Sequence, residues 1–133
     1  MKVMLDTNLC SSLIRSKNPQ RIAWALAHKP GDLGISVVVL CELEYGVANS
    51  RDPGRNAAAL LQFLAPVEIA DYDSGVASTY ARVRHCLKHA PIGPMDTMIA
   101  AHALYLDVAL ATDNVREFGR VAGLQLAKIP SVD

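Results

Sequence analysis

The feature that most constrains this chain is the alternation of short, mainly apolar runs with stretches of helical character. Residues 3–5, 33–35, 67–70 and 108–111 are brief runs dominated by aliphatic residues, and residues 124–129 form a final extended segment. The first of them, Val3-Met4-Leu5, has no polar alternation and fits a strand buried on both faces. Between them lie predicted helices at 9–15, at 37–48, at 56–64, at 95–106 and, as a single turn, at 113–118. Another opens at Asn18-Pro19, with Ile22 and Leu26 one turn apart on one face, and a long amphipathic helix spans about 73–89 on Val76, Tyr80, Val83 and Leu87. Strands alternating with helices predict an α/β fold, a central and mainly parallel sheet flanked by helices in three layers.

The 133 residues are about half apolar, enough for one core, so a single domain over 1–133 is expected. The helix at 37–48 is apolar nearly all round and is expected inside the molecule. Thirteen basic and thirteen acidic side chains cancel, which argues against a generic nucleic-acid coating protein and makes any polyanion contact local. Cys10, Cys41 and Cys86 are odd in number and lack a C-x-x-C pair, so reduced, mostly buried thiols are expected. An acid interrupts the first apolar run and no apolar stretch approaches membrane length, which points to a cytoplasmic protein.

Ligands of parallel α/β sheets bind beyond the carboxyl ends of the strands. Two acids, Asp6 and Asp113, directly follow predicted strands there. Asp96 opens an apolar helix, and Glu42 lies in another, with Val38 and Val39 a turn before it and Tyr45 and Gly46 a turn after. Each has a plainer role open to it. Asp6 can form an Asx turn, Asp96 can complement a helix dipole, Asp113 can cap a helix, and Glu44 has apolar neighbours much like those of Glu42. Gathered together, carboxylates in apolar surroundings repel one another unless a cation joins them. All-oxygen ligation without a matching His or Cys set suits Mg²⁺ or Mn²⁺, whose chemistry is phosphodiester displacement. Thr7, Asn8, Thr112 and Asn114 flank the two strand-end acids and can orient them. Among the bases, Arg82 shares a helix face with His85 and His89, and Arg116 follows Asp113 closely; both are candidate phosphate contacts, with a solvated charged face as the plainer reading. His102 reads as packed or locally bonded, and Trp24 as either core or a partner surface.

In order and spacing, five segments resemble the PIN-domain superfamily, and within it the VapC-type toxins of bacterial toxin–antitoxin pairs. They are Met4-Leu5-Asp6-Thr7-Asn8; Ile35-Ser36 with Cys41-Glu42-Leu43-Glu44-Tyr45-Gly46; Ile92-Gly93-Pro94-Met95-Asp96 with Ile99-Ala100-Ala101-His102-Ala103; Ala111-Thr112-Asp113-Asn114; and Arg116-Glu117-Phe118. The resemblance implies that the family's four acids fall on Asp6, Glu42, Asp96 and Asp113, which chooses Glu42 over Glu44. It further implies a Mg²⁺- or Mn²⁺-dependent endoribonuclease acting on tRNA or other structured RNA. Such proteins are usually homodimers, neutralised by a cognate antitoxin within a larger assembly. Some relatives carry Asn at the fourth acid position. Two rivals stand beside this reading. A metal-dependent phosphatase would want a second acid where Asn8 stands, and a catalytically silent RNA- or protein-binding module would use the acids only as caps.

Overall fold

Strand β1 (Val3–Leu5) lies in the middle of the sheet although it comes first in the chain. The computed structural model describes residues 1–131, so the end of the expected 1–133 domain lies outside the described residues. After β1 come α1 (Thr7–Arg15), α2 (Pro19–Leu26), β2 (Leu33–Ser36), α3 (Val37–Ala48), α4 (Pro53–Leu64) and β3 (Glu68–Ala70). A 3₁₀ turn (Ser74–Val76) leads into α5 (Ala77–Cys86), followed by α6 (Pro94–Leu106), β4 (Ala109–Ala111) and α7 (Val115–Phe118). The sheet order is β3-β2-β1-β4 and every pairing is parallel. Parallel neighbours need crossovers, which is why helices separate the strands. The expected α/β architecture is present, a four-stranded parallel sheet flanked by helices.

The strand interiors are buried as their composition requires: Met4, Leu5, Ile35, Leu110 and Ala111 are fully enclosed. Ile99, Ala100, Ala101 and Ala103 of α6 are likewise enclosed, the small side chains allowing close approach. His102 is buried on the same helix, with Nδ1 2.8 Å from Ser36 Oγ, and burial lowers its pKa. Ser36 in turn caps α3 by accepting from the Val38 N–H. The packed, locally bonded role expected of His102 is thus the observed one.

Several expectations are corrected. The apolar α3 is not inside on all sides: Val38, Val39 and Leu43 are buried, but Cys41, Glu44, Tyr45 and Gly46 face solvent. The long helix at 73–89 is a 3₁₀ turn plus a helix ending at Cys86, because Asp73 bonds the Gly75 N–H and opens a tight turn rather than an α-helix. Residues 124–129 form only one bridge, Leu126 beside Leu110, rather than a strand. Of the cysteines only Cys10 is buried; Cys41 and Cys86 are exposed. Helix α2 turns the side of Ile22 and Leu26 outward, Leu26 being 78% exposed, and buries Arg21 instead. Trp24 is half-buried, packed against the core with its ring edge-on to His28.

Candidate active site

Sheet register creates the first element of the site. Leu5 pairs with Ala111, so Asp6 and Thr112 extend side by side past the ends of β1 and β4. The Thr112 hydroxyl donates to Asp6 Oδ2, and the Asp6 N–H donates to the Ala111 carbonyl at 3.2 Å. Asp6 also caps α1, its Oδ1 accepting from the Leu9 N–H at 2.9 Å. The capping role and the position at the sheet's carboxyl end therefore coexist in one side chain.

Three of the predicted acids converge. Asp6, Glu42 and Asp96 line one cleft of about 230 Å³ together with Thr7, Asn8 and Asn114. Glu42 reaches across from α3, where its Oε1 accepts from the Thr7 hydroxyl at 2.6 Å. Asp96 is delivered by the first turn of α6, which opens on Gly93 and Pro94. Thr112 stands behind the cleft, holding Asp6 through one bond while its Oγ accepts from the Asn114 N–H at 2.9 Å.

Crowding shows in the protonation of these groups. Burial pushes the Asp6 pKa up, against the opposing bonds from Thr112 and Leu9, and the charges of Asp113 and Glu42 add to the rise. The Asp96 carboxyl is pushed up to about 6, first by burial and then by the charges of Asp6, Glu117 and Glu42. The dipole of α6 favours an ionised Asp96, so burial and like charge outweigh it here.

Asp113 lies near enough for its charge to raise the Asp6 pKa, but it is held differently from the other three. It does not line the cleft; Arg21 of α2 holds it, with Nη2 2.6 Å from Oδ1 and Nη1 3.0 Å from Oδ2. The alternative cap role is also absent, since the α7 cap position is Asn114 and no side-chain cap bond forms there. Arg116 is exposed on α7, and Arg82 is exposed on α5, lining a separate small cavity with Val83, Cys86 and Val121.

Two residues at the site escaped sequence reasoning. Arg21 carried no signal, because its partner lies 92 positions away. Glu117 lies within a quoted motif segment, and its spacing one turn after Asp113 and Asn114 was the available clue. Its Oε2 accepts from Asn114 Nδ2 at 2.9 Å, and its charge bears on Asp96.

The donor set is all hard oxygen, negatively charged and internally repulsive, which is the chemistry that attracts a small divalent cation. Among the described residues, no three such side chains stand close enough together to enclose an ion by themselves. An open acid cleft of this kind fits Mg²⁺ or Mn²⁺, ions that keep much of their water and take only one or two carboxylates directly.

A family model described as "PIN domain" matches residues 3–124. The tRNA(fMet)-specific endonuclease VapC of Shigella flexneri is 39% identical over 127 residues, covering 94% of this chain and 96% of that protein. Ribonuclease VapC2 of Rickettsia felis is 37% identical over 130 residues, covering 95% and 96% respectively. Among solved structures, the DNA-bound VapBC of Salmonella typhimurium matches with a TM-score of 0.88 at 36% identity, covering 96% of this chain and 97% of that one. Fold and near-complete coverage agree, and the chain belongs to the PIN-domain family, among its VapC-type members.

Proposed function

We propose that this protein is a divalent-metal-dependent endoribonuclease, the toxin of a toxin–antitoxin pair, which hydrolyses phosphodiester bonds of tRNA or other structured RNA in the cytoplasm. The observation that carries the proposal is the convergence of Asp6, Glu42 and Asp96 from three separate segments at the carboxyl end of a parallel sheet.

In this reading Asp6, Glu42 and Asp96 hold Mg²⁺ or Mn²⁺, with Asp113 completing the acidic set. An ion held there would lower the pKa of water and balance charge on the phosphate oxygens. Thr112 and Thr7 fix the rotamers of Asp6 and Glu42 by donating to them, and Asn8 and Asn114 line the opening where a phosphodiester enters. Arg116 and Arg82 are the candidate RNA contacts. The partner is a cognate antitoxin, and an apolar groove of about 390 Å³ walled by Leu13, Leu26, Leu33 and Phe63 suits a protein segment better than a polyanion. In this reading the protein pairs as a homodimer within a larger assembly with that antitoxin.

Incubation of the purified, antitoxin-free protein with bulk tRNA tests this. Cleavage is expected in Mg²⁺ or Mn²⁺, none in EDTA, and none with Asp96→Asn. Intact tRNA in both metals, with undiminished RNA binding, would favour the silent binding module; turnover of an aryl phosphate monoester without RNA cleavage would favour the phosphatase.

A further inference from the structure

Gly46 closes one of the motif segments, yet neither backbone nor crowding calls for a glycine there. It lies within α3, its φ is not positive, and a Cβ built on it meets nothing within 4 Å. Glycine is a poor helix former, so its presence in α3 carries a cost that local structure does not explain. What its missing side chain leaves open is a cavity of about 280 Å³ between α1, α3 and α4.

The cavity's wall is mixed. Arg15, Ser11 and Asn56 supply a cation, a hydroxyl and an amide, while Ile14 and Leu60 supply apolar surface. Glu42 lines this cavity and also the acid cleft, so the two adjoin on either side of one side chain. We infer that the cavity is a nucleotide subsite of the RNA, receiving the nucleotide next to the scissile phosphodiester, with Arg15 on a phosphate and Gly46 keeping the space for the base clear.

The chemistry of the wall suits that occupant. An unstacked base needs an apolar face to lie on and hydrogen-bonding groups at its edge, which Ile14 and Leu60, then Asn56 and Ser11, provide. Its phosphate needs an exposed cation, and Arg15 is exposed at the end of α1. The volume is on the scale of one small ligand. The inference rests on the ribonuclease reading above.

The test uses the full-length protein with bulk tRNA in Mn²⁺. Gly46→Leu is expected to raise KM about fivefold or more, the scale of losing one base contact, with kcat held within about twofold. It should also alter the base preference seen by sequencing the new RNA ends. Gly46→Ala is expected to melt a few degrees higher than wild type while raising KM less. Arg15→Gln should raise KM and lower the salt dependence of tRNA binding by about one ion. A folded Gly46→Leu variant with wild-type KM and unchanged RNA ends would overturn the subsite alone. Wild-type protein that leaves tRNA intact would overturn the ribonuclease reading and the subsite with it.

Discussion

Arg21 grips Asp113 with both terminal nitrogens of its guanidinium, at 2.6 and 3.0 Å, while its Nε donates to the Pro130 carbonyl at 3.0 Å. One buried side chain of α2 thus joins the segment after β4 to the end of the described chain. Only a planar fork satisfies three acceptors in these directions, which a lysine ammonium cannot reproduce.

Removing the fork is expected to loosen all three elements. Pairs buried on both sides lose about 3–5 kcal/mol when one partner is removed, and Asp113 keeps 43% of its side-chain surface in water, so Arg21→Ala should cost roughly 2 kcal/mol. Arg21→Lys should recover only part of that. Urea unfolding midpoints measure both; a midpoint unchanged by Arg21→Ala would mean that the clamp contributes no stability.

Asp96 sets an expectation for pH. Its carboxyl titrates near 6 in the folded protein against 3.8 ordinarily, so between those values the folded state holds more protons than the unfolded one. Its contribution therefore favours folding below about pH 4 and is lost as pH rises through 6 in metal-free protein. Asp96→Asn should accordingly melt a few degrees higher than wild type at pH 7 without metal, and should lose that advantage at pH 4. Calorimetry at the two pH values checks it. The affinity of the metal-free protein for Mn²⁺ should in turn rise through pH 6 as Asp96 ionises, which titration calorimetry reads.

The Thr112 hydroxyl is expected to matter for metal rather than for folding. It fixes the orientation of Asp6 and offsets part of the rise in its pKa. Thr112→Val should weaken Mn²⁺ binding about 10-fold or more, the usual scale for a partner that orients a ligand. Titration calorimetry with Mn²⁺ reads this directly, and equal affinities would show that Asp6 needs no such support.

The two candidate RNA contacts should separate. Arg116 sits on α7, which begins two residues after Asp113, whereas Arg82 opens on a cavity that shares no residue with the acid cleft. Arg116→Ala should weaken tRNA binding several-fold and lower its salt slope by about one. Arg82→Ala should do less, and anisotropy titrations at two salt concentrations rank them.

What was legible in the sequence was whatever local pattern dictates. Asp6 could be placed because a buried strand ends there in turn-forming residues, and Ser36 and Asn18 because caps are local chemistry. Glu42 was narrowed to one of two acids by its apolar helix, and only the family resemblance separated it from Glu44. The failures are tertiary. Ile22 and Leu26 have the spacing of a core face, but α2 docks by its other side, where Arg21 turns inward to reach Asp113 and the Pro130 carbonyl. Tyr45 and Cys41 belong to an apolar helix whose far side no other element covers. The pairing of Asp113 with Arg21 was equally invisible, since the arginine lies 92 residues away.

The sheet order also fixes when the acid cleft can exist during synthesis. Asp6 leaves the ribosome 106 residues ahead of Thr112, which holds it. β1 cannot gain its second neighbour until β4 emerges, and pairing across such a span is the slow step of a parallel sheet. A nascent chain therefore carries its acids scattered until β4 has emerged, and the complete cleft appears only when that strand docks beside β1.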